Sequence, residues 1–283
     1  MKNKCISLAA EAYRCLAYSI KNPKIQLENG MFILSVDVDV GNKELGIINE
    51  GKNDINVTSS STEFLIGETE EKAIPLLVEL LDNLEIPVTF AIRGQVAEVD
   101  GSILETILES NVKHDLGAHG YSHKQFDNLS YREAEEELRM INAGMKKFGI
   151  TPKSFVYPRN VVAHLSLLWK YGYLCYRGNY YGMHIEKNGH LYNIYPSLFL
   201  GQSVGSFFAK KILNIAIAKR LPCHVWLHSW NFGKETRHIR RNINNILIPL
   251  LSHGKRKEKM GMLTFETMLS ASEKIAKLDS RGT

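Results

Sequence analysis

From residue 31 onward, short apolar runs alternate with segments of helical periodicity, and this alternation is what most constrains the fold. Strands are expected at 31–38, 88–92, 114–118, 154–157, 173–176, 190–196 and 224–227. Helices are expected at 70–84, 95–110, 131–148, 161–171, 204–220 and 238–252. Pro87 follows the first helix, Gly149 ends the third, and Ser130 with Glu133 forms a capping box at the start of that third helix. Repeated strand–helix units predict a parallel sheet in an α/β fold, and their number favours a barrel over an open sheet. The 283 residues, 44% of them apolar, suffice for one such barrel. No linker or repeat divides the chain, so the reading is a lead-in over 1–30 and a single barrel over 31–283.

The balance of charges narrows the partners. A charged fraction of 23% argues against disorder. A net charge of +5 permits an anionic partner without demanding nucleic acid, and the sequence shows no nucleic-acid-binding motif. Cys5, Cys15, Cys175 and Cys223 form no CxxC pair, so reduced cysteines in a cytoplasmic protein are the simpler reading. Ile6, Ala9, Tyr13, Leu16 and Ile20 fall at helical spacing, while Glu11 and Arg14 interrupt the apolar run and no small-residue cleavage site follows. Residues 4–21 therefore read as an amphipathic helix, packed on the body or lying on a membrane surface, rather than as a signal peptide. No apolar run approaches the roughly 20 residues of a membrane span. Residues 40–68 form a long polar connection with four glycines, placed to cover the face where the first strand ends. Asn56-Val57-Thr58 matches a glycosylation acceptor, which counts for little without a secretion signal.

Four places carry candidate chemistry. Asp37 and Asp39 are two apart at the end of the first strand and point to one face. Burying both carboxylates requires a cation or a proton; otherwise the pair caps the following loop. His119 and His123, in GAHGYSH, are four apart, and either one helical turn brings both imidazoles to a shared ion or they are surface histidines; Gly117 and Gly120 allow a tight turn there. Beside them, His114 and Asp115 are either supporting partners or a wall residue and a solvated one. His224, Trp226 and His228 share a face of the last expected strand, and His228 stands where apolar strand gives way to polar loop, suited either to a proton donor or to a structural role. Trp226 and Trp230 are core aromatics or sugar-stacking rings, with Trp230 the better sugar candidate. The backbone N–H of Arg159, after Tyr157-Pro158, either serves an oxyanion or belongs to an ordinary strand followed by a turn.

The order SVDVD, HGYSH, a strand ending in YPRN, and LH near the end resembles the NodB-homology polysaccharide deacetylases, carbohydrate esterase family four, over about residues 31–270. The resemblance implies a distorted (β/α) barrel of about seven strands. By it, Asp37 matches the general base, Asp39, His119 and His123 the metal ligands, and His228 the general acid. A valine separates the two aspartates, as in the DxD and DxE branches. An arginine that orients the base in the family is replaced here by Val156; Arg177, in CYRG, either substitutes for it or is a surface residue.

What the resemblance implies is a metal-dependent hydrolase of C–N bonds that removes N-acetyl groups from amino sugars. The cofactor is a divalent metal, Zn²⁺ first, with Co²⁺ or another divalent ion open. A cytoplasmic location points to a glycan precursor, lipid- or nucleotide-linked, with peripheral membrane contact through the basic segments 234–241 and 253–259 as one option and a solvated face as the other. Rival readings are a hydrolase of a non-sugar amide on the same fold and a carbohydrate-binding relative without catalysis.

Overall fold

The computed structural model describes residues 27–39, 61–99, 101–178, 181–201, 205–232 and 235–280, with the backbone alone for 61–70 and 99. The expected helix at 4–21, the glycosylation triplet and most of the 40–68 connection lie outside the described residues.

The long strand β1 (Gly30–Val38) is buried along its whole length. It pairs in parallel with β2 (Thr89–Ile92), which leads to β3 (Asp115–Ala118), β4 (Ser154–Val156) and β5 (Cys175–Arg177). Its other edge pairs along its length with β9 (Pro222–His228). The run 191–199 joins the two arms. Its first half, β7 (Leu191–Ile194), lies beside β5, and its second, β8 (Leu198–Phe199), lies beside β9. Seven staves thus follow one another around a ring, and the fold is the expected α/β barrel. Two strands stand outside the count. β6 (Ile185–Asn188) makes an antiparallel hairpin with β7. β10 (Leu263–Glu266) pairs with the first half of β1, on the edge whose second half takes β2.

Strand alternation sorts side chains into two layers. Phe32, Leu34, Val36 and Val38 point outward and pack under the helices. Met31 and Ile33 point into the lumen with Ala91, Val156, Cys175 and Ile194. The outer layer holds α1 (Ser61–Leu84), α2 (Gly94–Val99), α3 (Ser102–Leu108), α4 (Tyr131–Lys146), α5 (Leu165–Lys170), α6 (Ser206–Lys219), α7 (Thr236–Asn242) and α8 (Ile248–Lys259). The last helix, α9 (Met268–Asp279), touches β1, β5, β7 and β10, elements from opposite sides of the ring. It therefore lies across the N-terminal end of the barrel, with Met268, Ala271 and Ile275 closing the lumen from below.

Several boundaries differ from those expected. α1 begins at Ser61, so the last part of the presumed 40–68 connection is helical. The helix expected at 95–110 is two, parted next to Gly101. The helix expected at 238–252 runs from Thr236 to Lys259 through a π turn at Ile243–Leu247. That turn ends two residues before Pro249, whose missing N–H interrupts the regular ladder. The Ser130–Glu133 capping box is present as read.

Candidate active site

At the C-terminal end of the lumen the inward row changes from apolar to polar: Met31 and Ile33 give way to Ser35 and Asp37 on β1, and His224 is followed by Trp226 and His228 on β9. Register sets Asp37 directly beside His228 and Ala91. Asp39 stands one residue beyond the strand, still buried.

Asp37 and Arg177 form a buried two-pronged pair, with Arg177 Nη1 donating to Oδ1 at 2.8 Å and Nη2 to Oδ2 at 2.6 Å. Both side chains are about 1% exposed, which settles whether Arg177 is a surface residue. Register places it beside the position where the resemblance expects an arginine. Arg177 on β5 is the direct neighbour of Val156 on β4, so its guanidinium stands one stave away from Val156 at the same height. Its other donors are also used: Nε meets Asn160 Oδ1 at 2.8 Å and Nη1 meets Ser35 Oγ at 3.2 Å, and the guanidinium lies 4.3 Å over the Trp226 ring. Ser35 is in turn 2.8 Å from Nε2 of the buried His224, whose burial, with Arg177 nearby, holds it neutral at about 3. Burial alone would raise the Asp37 carboxyl, but Arg177 and then His119 outweigh it and hold the group at about 2.

The two histidines of GAHGYSH converge by another route than the expected helical turn. Residues 119–123 form a bend with Gly120 at φ 67° and His123 at φ 64°. A side chain at Gly120 would lie 3.1 Å from the Pro158 ring. The bend is held from below by Glu137 of α4, whose Oε2 accepts the N–H groups of Tyr121 and Ser122, each at 2.8 Å. The His119 and His123 rings end 4.9 Å apart, edge to face.

One ligand atom each from Asp39, His119 and His123 lies within 4.8 Å of the others. His119 Nδ1 is 2.8 Å from the Val156 carbonyl and must donate to it, which leaves a lone pair on Nε2. That lone pair faces Asp39 Oδ2 at 3.9 Å, and His123 Nε2 faces the same oxygen at 3.4 Å. Burial above all holds His119 down to about 4 and His123 to about 3, so both are neutral near pH 7 and form no ion pair with Asp39. Neutral nitrogens and a carboxylate oxygen turned toward one another need a cation between them. Atoms about 2 Å from a common tetrahedral ion stand at such separations, so the set fits a divalent metal.

Around this set, Trp230 Nε1 donates to Asp39 Oδ1 at 3.1 Å, and Arg93 Nη1 donates to the Asp39 carbonyl at 3.1 Å. His228 Nε2 is 3.4 Å from Asp39 Oδ2, its Nδ1 is 3.3 Å from Asn231 Oδ1, and its ring stacks on Trp230 with centroids 4.6 Å apart. Trp230, read as a sugar platform, is thus engaged with the carboxylate and His228. Arg159 sits on the turn after β4 in the left-handed region, at φ 58°, as does Asn160. The structure does not place Asp115 or His114 here. Asp115 lies under the lumen, bonded to Thr89, Ser154 and the Leu269 N–H, and His114 bonds to Ser110 and the Val88 N–H. Neither is the supporting partner considered above, nor is Asp115 solvated.

Arg93, Glu137 and Asn160 were missed. Glu137 left a signal: it falls on the apolar face of α4 with Ala134, Leu138 and Ile141. Arg93 left one too, as an arginine directly after the apolar run that becomes β2.

The polysaccharide deacetylase family model matches residues 64–170. A protein from Mycobacterium smegmatis described as a polysaccharide deacetylase superposes with a TM-score of 0.70 at 15% identity, over 90% of this chain and 94% of its own. One from Pseudomonas aeruginosa with the same description gives 0.65 at 10% identity, over 86% and 89%. Puue allantoinase gives 0.64 at 12% identity, again over 86% and 89%. Comparison with curated protein sequences returned no match. At these identities the structural likeness speaks for the fold, which is that of the polysaccharide deacetylases, as the order of motifs implied.

Proposed function

From this polysaccharide deacetylase fold and family match, we propose that the chain is a metal-dependent amide hydrolase that removes N-acetyl groups from amino sugars. The observation that carries the reading is the convergence of Asp39, His119 and His123 within 4.8 Å beside an Asp37 clamped by Arg177.

Asp39 and the two Nε2 atoms would hold the ion. When bound, a divalent ion supplies a Lewis acid that polarises an amide carbonyl and acidifies water, the kind of proton donor that a weak base requires. Asp37 is that base: held at about 2, it stays ionised through the neutral range, and Arg177 fixes its two oxygens in place. His228 is the acid that protonates the leaving amine, its Nδ1 side turned to Asn231 and its Nε2 toward the site. The Arg159 N–H donates to the developing oxyanion. Arg93 and Trp230 hold Asp39 from two sides, fixing one carboxylate oxygen toward the histidines.

The location and the metal follow the sequence reading: a cytoplasmic enzyme, with peripheral membrane contact as one option, using a divalent ion, Zn²⁺ first and Co²⁺ or another open. Metal analysis of the purified protein, with acetate release from N-acetyl amino sugars, tests the reading. Bound metal at one per chain with acetate release supports it; a metal-free protein that releases no acetate from any such sugar overturns it. A second reading, hydrolysis of a non-sugar C–N amide, is supported by the fold likeness to an allantoinase. Turnover of cyclic amides without turnover of acetamido sugars would favour it.

A further inference from the structure

Charge is unevenly shared along the chain. Between Ser206 and Lys259 there are twelve Lys and Arg and two Asp and Glu, so against a total of +5 the rest of the chain is net negative. Both acids of that stretch are already paired, Glu235 with Arg237 and Glu258 with Lys255, each at 2.6 Å. The stretch builds one flank of the barrel. α6 packs on α8 and on the π turn, and α7 leads into that turn. Asn214 of α6 and His253 of α8 meet at 2.7 Å, and Lys210, Arg256 and Lys257 all crowd His253, so the cations of two helices share a surface.

The same flank carries exposed apolar side chains. Phe207, in the first turn of α6, is 70% exposed, with the Lys211 ammonium 4.6 Å from its ring. Met260, 65% exposed, follows the other end of α8. α6 follows β8, and α7 follows the β9 end at His228 and the short turn that carries Trp230, so both helices start at the rim of the site.

We propose that this flank docks on an anionic lipid bilayer, with Phe207 entering the headgroup region and the surrounding lysines and arginines meeting lipid phosphates. An exposed apolar ring set among cations is the pattern of an interfacial anchor. Nucleic-acid surfaces instead use rows of stacking aromatics, and among the described residues of 206–259 Phe207 is the large exposed aromatic. Resting on the hydrolase reading, the docking assigns a lipid-linked amino sugar as the substrate, delivered at the rim nearest His228.

The test is binding of the full chain to vesicles of mixed phosphatidylglycerol and phosphatidylcholine, against phosphatidylcholine alone. Selective binding to the anionic vesicles, weakened by salt, is expected. Replacing Lys210, Lys211, Arg256 and Lys257 by Gln should weaken it about fivefold per charge. Phe207→Ser should weaken it about tenfold. Lys146→Gln with Lys147→Gln, at the end of α4, should leave it unchanged. Equal binding to both vesicle types overturns the proposal. So do flank variants that bind as the parent does, or binding of single-stranded DNA as tight as that of the vesicles and insensitive to Phe207→Ser. Vesicle binding needs no turnover, so failure of acetate release on a soluble sugar counts against the hydrolase reading and leaves the docking surface to be judged by itself.

Discussion

The barrel buries a carboxylate at each end and treats the two in opposite ways. At the C-terminal end Asp37 faces Arg177, and its carboxyl is held at about 2. At the N-terminal end the Asp115 carboxyl meets neutral donors, the Thr89 and Ser154 hydroxyls and the Leu269 N–H, and burial raises it above the usual value. Gly117 leaves room for this lower cluster, since a side chain there would lie 2.6 Å from Ser154 Oγ. Burial by itself therefore says little about the role of an acid. The groups that face it decide whether its carboxyl is pulled below the usual range, as at Asp37, or stays raised, as at Asp115 under the α9 plug.

The sharpest break of this comparison acts on the ion site. Asp39→Ala, His119→Ala or His123→Ala should each abolish stoichiometric metal binding, read by elemental analysis, with the circular dichroism spectrum unchanged. A variant that keeps a full complement of metal removes that residue from the ligand set. Next, Asp37→Asn should keep the metal and lower turnover by about two to four orders of magnitude. A near-normal rate would take Asp37 out of the chemistry. Arg177→Met strands Asp37 as a buried, unpaired anion and should cost about 3–5 kcal/mol in urea unfolding, besides slowing turnover. A loss below 1 kcal/mol would show that the pair is not what holds Asp37 ionised. The smallest effect is expected at the other end. Asp115→Asn exchanges charge-assisted hydrogen bonds for relief from burying an anion, so stability at pH 7 should move by about 1 kcal/mol or less, with kcat unchanged. A fall in kcat would end the division of labour between the two ends.

Acidity offers a further check. His224 is held at about 3 and His114 at about 4, both chiefly by burial, so their folded values lie below the ordinary histidine value of about 6.5. The unfolded chain then binds more protons than the folded one below that value. Stability is fully present above about pH 6.5 and falls as the pH drops toward 4 and 3. Urea midpoints across that window should decrease with acid, and His224→Gln should flatten the slope.

How much of this was legible depended on whether a residue's role is set by its neighbours in sequence or across the sheet. Asp37, Asp39, His119, His123 and His228 stand at strand ends in recognisable order, and the barrel follows from the strand–helix alternation. Arg177 was visible but ambiguous. Its pairing with Asp37 depends on the register of strands far apart in sequence, and register between distant segments is not written locally. The one-turn geometry assumed for His119 and His123 gave way to a bend because Glu137, far along the chain, supplies acceptors for its N–H groups. β10 and α9 were overlooked: the stretch 263–266 is short, and the polar face of 268–279 reads as an ordinary surface helix. What makes α9 a plug is the open lumen it covers, which exists only once the ring has closed.

The forked edge of β1 has a consequence for the order of assembly. The strand that carries Asp37 takes β2 on the upper half of one edge, but its lower half waits for β10, with Gly30 matched to Leu263. Its inward Met31 and Ile33 wait for Met268, Ala271 and Ile275. During synthesis the Asp37 strand is therefore made early and completed late, and this large loop closure slows folding in the way that distant pairings do. A nascent chain interrupted before Leu263 would present an open-ended lumen and a bare half-strand edge, the surfaces that recruit chaperones or drive aggregation.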